Sequence, residues 1–284
     1  MAPPARRYRC RVHDVPDALR APALRAPHPA LRGLVADYHG YHHAGLTAGV
    51  HHGLPSSTLT VVVAFDEPVD GAWADDPGSR DRHWAMVSGL HTRPALIRHS
   101  GFQHGVQLGL TPLGARLLLG MPAGALAREL VPVDEPASYD ALAGATTWEQ
   151  RFELLDRLLL DRLARTDGRP VRAELAHAWR RIQHARGAVR VDALAAEVGW
   201  SRRHLSERFT TEFGIGPKQA ARIERFQRAR LLLGRGAAPA AVAATCGYAD
   251  QAHLTRDFRG LGGCTPVQWR REALSFVQDG SPAR

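Results

Sequence analysis

Leu194-Ala195-Ala196-Glu197-Val198-Gly199-Trp200-Ser201-Arg202-Arg203-His204-Leu205 and Val242-Ala243-Ala244-Thr245-Cys246-Gly247-Tyr248-Ala249-Asp250-Gln251-Ala252-His253-Leu254 are two versions of one pattern. Each has a small-residue helical run, a Gly followed by an aromatic, and a polar residue. A second helix follows in which Leu and Phe fall four apart: Leu205 with Phe209, and Leu254 with Phe258. Gly199 and Gly247 stand at a helix C-terminus, where a left-handed conformation costs Gly little. Ser201 and Asp250 can each cap the helix that follows. A bracing helix, a tight turn and a second helix make up the helix-turn-helix arrangement, whose second helix fits the ~12 Å major groove of DNA.

With Leu and Phe facing inward, residues on the opposite arc of each second helix face out. In the first copy these are Arg202, Arg203, Ser206, Glu207 and Thr210; in the second, Gln251, Ala252, His253, Arg256 and Asp257. Arg can pair bidentately with guanine, Gln with adenine, and Glu can accept from cytosine. Between the copies, the 18 residues from Pro217 to Gly234 span about 27 Å as a helix, close to the ~34 Å between successive major-groove faces on one side of a duplex. Arg222, Arg225, Arg228 and Arg230 on this helix suit phosphates.

Charge is divided in the same way. Residues 1–170 hold 18 basic and 18 acidic residues, which leaves 19 basic against 10 acidic in residues 171–284, so the whole net charge of +9 lies in the C-terminal part. Such asymmetry points to a polyanion partner for one domain. With 284 residues, of which 44% are apolar and 23% charged, the chain is globular and long enough for two domains, each with its own core. No apolar run is long enough for a membrane span, and Arg6, Arg7, Arg9 and Arg11 are not followed by the apolar segment of a signal peptide, so a cytoplasmic protein is expected. Cys10, Cys246 and Cys264 are too few and too scattered for a disulfide framework or a zinc site.

Read in order, residues 1–30 are rich in Pro, Ala and Arg and predict an irregular lead-in. Residues 31–168 form the first domain. Thr58 to Phe65, His83 to Leu90, Ala95 to His99 and Gly105 to Leu110 read as strands of a small antiparallel barrel or sandwich. Thr111-Pro112 can start a helix that stops at Gly120, and Pro132 to Gly144 reads as a loop. Thr147 can cap an amphipathic helix carrying Trp148, Phe152, Leu155, Leu159 and Leu163. This stripe can pair two subunits or cover its own sheet, and the second is the simpler use. The domain ends at Asp167-Gly168-Arg169-Pro170. Residues 171–276 form an all-α second domain of seven helices, near 171–186, 191–198, 202–213, 217–234, 239–246, 251–261 and 266–274, and residues 277–284 are a tail. The fold class is therefore α+β in two domains.

On these residues, 189–272 resembles the DNA-binding domain of the AraC/XylS family of bacterial transcription regulators. The resemblance rests on Leu194-Ala195 with Gly199-Trp200-Ser201, Leu205, Phe209 and Gly214, and on Pro217 with Arg225, Ala229 and Leu232-Leu233. It rests above all on Cys246 to Gln251 with His253, Arg256, Phe258 and Thr265-Pro266. It implies that both second helices enter the major groove, with Arg203, Ser206, Glu207, Gln251, His253 and Arg256 facing bases. Arg190 stands where the family commonly has a capping Ser or Thr, and Leu261-Gly262-Gly263 departs from the usual bulky residue before the last Gly. Many such regulators carry an N-terminal cupin-like barrel that senses a small molecule, and residues 58–115 resemble a divergent sensor of that kind. Tyr38, Tyr41, His42, Trp73 and Trp84 are the candidate effector-binding residues.

Eleven of the 15 His precede residue 150, and His39, His42, His43, His51 and His52 cluster. They lack the H-x-H-then-Glu or H-E-x-x-H spacing of metal sites, and neighbouring strand residues point to opposite faces, so polar lining roles are expected and no metal or other cofactor. No Ser-His-Asp, Cys-His or paired-carboxylate signature marks catalytic residues, so an enzyme is not expected. The alternatives are a His-bearing metal-dependent enzyme fused to a DNA-targeting domain, and an architectural DNA binder without sequence preference. A DNA alkyl-repair branch of the family needs an N-terminal Cys cluster, and here there is only Cys10. Double-stranded DNA is the expected partner. RNA polymerase and a second copy of the chain are further candidates; a membrane is not.

Overall fold

A computed structural model describes residues 17–133 and 135–273. The expectations that rest on Cys10, on the N-terminal arginines and on the 277–284 tail lie outside these residues.

The first part is built from β1 (Ala23–Arg25), β2 (Val35–His43), β3 (Gly49–Gly53), β4 (Leu59–Ala64), β5 (Val69–Trp73), β6 (Asp76–His83), β7 (Ala85–Ser88), β8 (Ala95–His99), β9 (Gln103–Leu110) and β10 (Leu130–Pro132). They form two antiparallel sheets, ordered β1-β2-β9-β4-β7-β10 and β3-β8-β5-β6. Four of the strands match the runs read from β-branched and apolar residues. The others lie largely outside those runs, and β2 and β3 among them are rich in Gly and His.

Among the helices, α1 (Ala115–Leu118) is a single turn that starts later than expected from Thr111-Pro112: its N-cap is Gly114, without a side-chain cap bond, and Thr111 Oγ1 accepts from Gly114 N at 3.1 Å. The expected loop at Pro132 to Gly144 is corrected: β10 enters it and α2 (Pro136–Gly144) fills most of it. Tyr139 and Leu142 hold α2 to the core, and the Tyr139 hydroxyl donates to the Ala64 carbonyl at 2.9 Å. The amphipathic helix is α3 (Trp148–Arg165), with Thr147 Oγ1 accepting from Gln150 N at 3.2 Å. Its stripe covers the six-stranded sheet: Phe152 stacks on Tyr38 at 5.8 Å, and Trp148 lies so close to Gly40 that a Cβ there would meet the indole at 2.3 Å.

Residues 17–30, expected to belong to an irregular lead-in, are instead built into the fold. Leu19 is fully buried, β1 pairs with β2, and the residues around it converge on one carboxylate of α3. Asp156 accepts from the Tyr38 hydroxyl (2.9 Å), from His28 N (2.8 Å) and from Arg25 Nη2 (3.0 Å). A buried carboxylate must find such donors, and the segment 25–28 supplies two of them.

Beyond residues 166–172 the described residues are helical: α4 (Ala173–His184), α5 (Val191–Glu197), α6 (Arg202–Phe213), α7 (Pro217–Gly234), α8 (Pro239–Thr245), α9 (Gln251–Gly262) and α10 (Pro266–Ala273). These are the seven expected helices. The cores divide elsewhere than the sequence suggests. The larger one runs from Leu19 through the sheets, α3 and α4 to Phe209, Phe213 and Ile223, while the smaller gathers Phe226, Leu233, Val242, Tyr248, Leu254 and Phe258. Apolar contact thus continues from the β-rich part into the first helix-turn-helix through Ala123, Leu126, Val171 and Leu175.

Candidate DNA-reading surface

The two copies have the same local geometry. Gly199 and Gly247 have φ of 70° and 73°, and the aromatic after each donates back to the bracing helix, Trp200 N to Ala195 O and Tyr248 N to Ala243 O, both at 2.9 Å. The second helices are capped alike, Ser201 Oγ accepting from His204 N at 3.2 Å and Asp250 Oδ1 from His253 N at 2.6 Å. Leu205 and Phe209, like Leu254 and Phe258, are fully buried. The first pair packs with Trp179 and Phe213; in the second, Phe258 meets Phe226 edge-on at 4.8 Å. Arg190 gives α5 no side-chain cap, as the departure at that position implied. Gly262, in turn, is buried in the last turn of α9, and Gly263 (φ 71°) closes that helix.

Arg202, Arg203, Glu207 and Thr210 on α6 are exposed, with Ser206 half-buried at their centre; on α9, Gln251, Ala252 and Arg256 are exposed. Arg203 Nε donates to Glu207 Oε1 at 2.8 Å, and this bond holds the Glu207 carboxyl below the usual carboxylate range. His253 is half-buried, its ring edge-on to Tyr248 at 5.1 Å.

Three expected positions need correction. Asp257 does not face out: it is 7% exposed and accepts from Arg222 Nε at 2.8 Å. It lies one turn from Leu254, on the flank of the buried stripe, where α7 arrives with a cation. Arg222 is therefore engaged as a brace for α9. Arg230 is 4% exposed with its guanidinium 5.2 Å from the centre of the Phe226 ring, so it too is part of the core. Arg225 and Arg228 remain half-buried at the surface, Arg225 lying 5.6 Å from the Tyr248 ring.

The N-terminal effector candidates are engaged in several packing contacts. Tyr38 is core, Trp73 packs on His91 at 4.9 Å, and Trp84 meets Tyr139 edge-on at 6.3 Å. Tyr41 lines a cavity of about 20 Å³ with His99, Phe102 and His104. That is room for about one water, against the ~300 Å³ or more of ligand pockets. His42 leans edge-on against Phe102 and His104, and burial lowers its pKa. A roomier groove of about 280 Å³ lies between Leu117–Gly120 and Asp161–Thr166. Its Arg162 donates to Leu118 O at 3.0 Å and pairs with Glu135, and Arg165 pairs with Asp161.

β2 and β3, which carry the His cluster, are not neighbours, and among the described residues no three His, Cys, Asp or Glu are placed to hold a metal ion. Burial pushes the imidazoles of His51 and His91 down to about 4. Unfolded, they would take up protons near pH 6.5, so between about 6.5 and 4 the unfolded chain binds more protons and stability falls as pH falls. We expect this loss to reach at most about 1.4 kcal/mol per pH unit for each group. Melting curves from pH 7 to 4.5 check it, since His91→Gln with His51→Gln should flatten the slope. An equal slope in wild type and variant would assign the acid sensitivity to other groups.

Two buried polar nodes on α3 escaped the sequence reading: Asp156, and Arg151 with His104 and Asp66. The available signal was a charged residue directly beside the apolar stripe of an amphipathic helix.

Residues 194–272 match the family described as a helix-turn-helix domain. The C-terminal segment is a helix-turn-helix domain. Among solved structures, ToxT from Vibrio cholerae is 9% identical with a TM-score of 0.55, covering 82% of this chain and 98% of that one. A ToxT variant in its apo form gives 10% identity, a TM-score of 0.55 and coverages of 87% and 99%. At such identity the likeness concerns the fold: a β-rich N-terminal domain followed by a helical domain. A transcriptional regulator from Chromobacterium violaceum, described as containing an AraC-type DNA-binding domain, is 26% identical over 35% of this chain and 90% of that one. Its TM-score of 0.33 is too low to carry weight. No curated protein matches the chain. No helix among the described residues is long and apolar enough to cross a membrane.

Proposed function

We propose that the protein is a sequence-specific transcription regulator whose α6 and α9 read two adjacent major-groove segments of double-stranded DNA. The observation that carries this reading is the repeated geometry: two helix-turn-helix units with the same turn, the same cap and the same buried pair, joined by α7. The 18 residues of α7 give about 27 Å, which suits two groove faces about one turn apart. Arg203 and Arg256 would read guanine, Gln251 adenine, and Glu207 cytosine, with Arg202, Ser206, Thr210, Ala252 and His253 completing the two surfaces and Arg225 supplying phosphate contact. Ser201 remains a cap whose hydroxyl lies at the groove end of α6. A small-molecule effector would enter the groove between Leu117–Gly120 and Asp161–Thr166.

Selection from random duplexes of about 30 base pairs with the full chain tests the proposal. The expected product has two preferred segments about 10 base pairs apart, one turn of B-DNA. A single contiguous segment, or no enrichment at all, would overturn it.

A further inference from the structure

The β-rich domain touches both reading helices, and it touches each at the C-terminal end. At α6 the contact is a lock. Arg116 donates to Glu212 through two parallel bonds, Nε to Oε1 at 2.7 Å and Nη2 to Oε2 at 2.8 Å, and the carboxylate side chain is 8% exposed. Beside it, the 3₁₀ turn Ala123–Leu126 meets the end of α6 backbone to backbone. A Cβ at Gly124 would lie 2.4 Å from the Thr211 carbonyl oxygen, and one at Gly214 would lie 2.2 Å from Ala127 Cβ. At α9 the contact is looser: a Cβ at Gly263 would lie 3.3 Å from Pro94 Cγ and 3.6 Å from His52 Nε2, and one at Gly262 would lie 3.5 Å from Leu54 Cδ2. Between the two, Ser57 N donates to Gln227 Oε1 of α7 at 2.9 Å. The opposite, N-terminal ends of both helices carry Arg202, Arg203, Gln251 and Ala252, all exposed.

We propose that the N-terminal domain acts as a fork that holds α6 and α9 by their C-terminal ends and so sets the spacing of their base-facing ends. Arg116, Glu212, Gly124 and Gly214 are then positioning residues for DNA reading. The inference rests on the proposed two-segment reading. Its physical basis is that each unit alone fixes only its own helix, while α7 is one helix shared by two separate cores. A bidentate ion pair combined with a close backbone contact defines an orientation more sharply than either alone. Arg116 and Glu212 lie far from the turn and cap residues, so their loss leaves each reading surface intact.

The test uses full-length protein and duplexes selected from a random pool, offered as the full site and as each half with the other half randomised. Arg116→Gln and Gly124→Ala are expected to lower full-site affinity about tenfold while leaving each half-site affinity within about twofold. The reversed pair, Arg116→Glu with Glu212→Arg, should recover most of the loss; Gly124→Ala acts through the backbone contact and does not depend on that pair. Unchanged full-site affinity, an equal fall on half and full sites, or tighter full-site binding would overturn the fork. If the wild-type chain selects no sequence, it is the reading of α6 and α9 that fails.

Discussion

Arg151→Ala is expected to cost about 3–5 kcal/mol of folding stability, the range for removing one member of a buried charged set. The Arg151 side chain is 2% exposed, its Nη1 lies 2.7 Å from His104 Nε2, and its guanidinium sits 4.1 Å from the Phe65 ring centre and 4.9 Å from that of Trp148. A guanidinium can only donate, so His104 Nε2 accepts and the ring proton is on Nδ1, which donates to Asp66 Oδ2 at 2.6 Å. Burial pushes the Arg151 pKa down to about 10, which still leaves it charged at neutral pH. Alanine would remove the cation facing the His104–Asp66 pair and open a cavity under two aromatic rings. Arg151→Met with Asp66→Asn keeps the volume and drops both charges, and should recover much of the loss. Urea midpoints for the three proteins check this, and a cost under about 1 kcal/mol for Arg151→Ala would show that the node contributes little.

This node illustrates what could be read from the chain and what could not. Gly199, Gly247, Ser201 and Asp250 are legible because a turn and a cap involve residues within four positions of each other, and the two copies check one another. The inward Leu and Phe follow from helical period alone, and so do the ends of α6, α7 and α9. β2 was missed because its Gly and His lack strand propensity; Gly40 is there to admit Trp148, which comes from more than 100 positions away. α2 was missed because only Tyr139 and Leu142 mark its inner side and it begins in a Pro-rich stretch. Asp257, Arg222 and Arg230 were placed on the surface because charge was the only guide. Their burial depends on how α7 crosses α9, which no local pattern states. The aromatic residues named for an effector are distributed among several contacts because composition marks apolar bulk, not where sheets leave space.

Arg203→Ala and Arg256→Ala should each weaken binding to the selected site by about 1–3 kcal/mol. They lie on separate helices and share no partner, so the double variant should lose about the sum. Arg203 uses Nε for Glu207, which leaves both terminal nitrogens of an 89% exposed side chain free to meet O6 and N7 of one guanine. On the proposed reading Glu207 would orient Arg203 as well as contact its own base, and Glu207→Ala should relax specificity at the guanine as well as at that base. Arg256 is exposed on the same arc of α9 as Gln251 and Ala252. The comparison that gives these numbers meaning is Arg222→Ala, which would leave the buried Asp257 carboxylate without its cation. That change acts on how α9 is seated, so it should lower stability and weaken selected and random duplexes together. Gel shifts at one salt concentration, with selected and random duplexes side by side, separate the two cases. If Arg203→Ala and Arg256→Ala weaken both duplexes equally, these arginines hold phosphates, and the sequence preference must come from Gln251, Glu207 or the shape of the DNA.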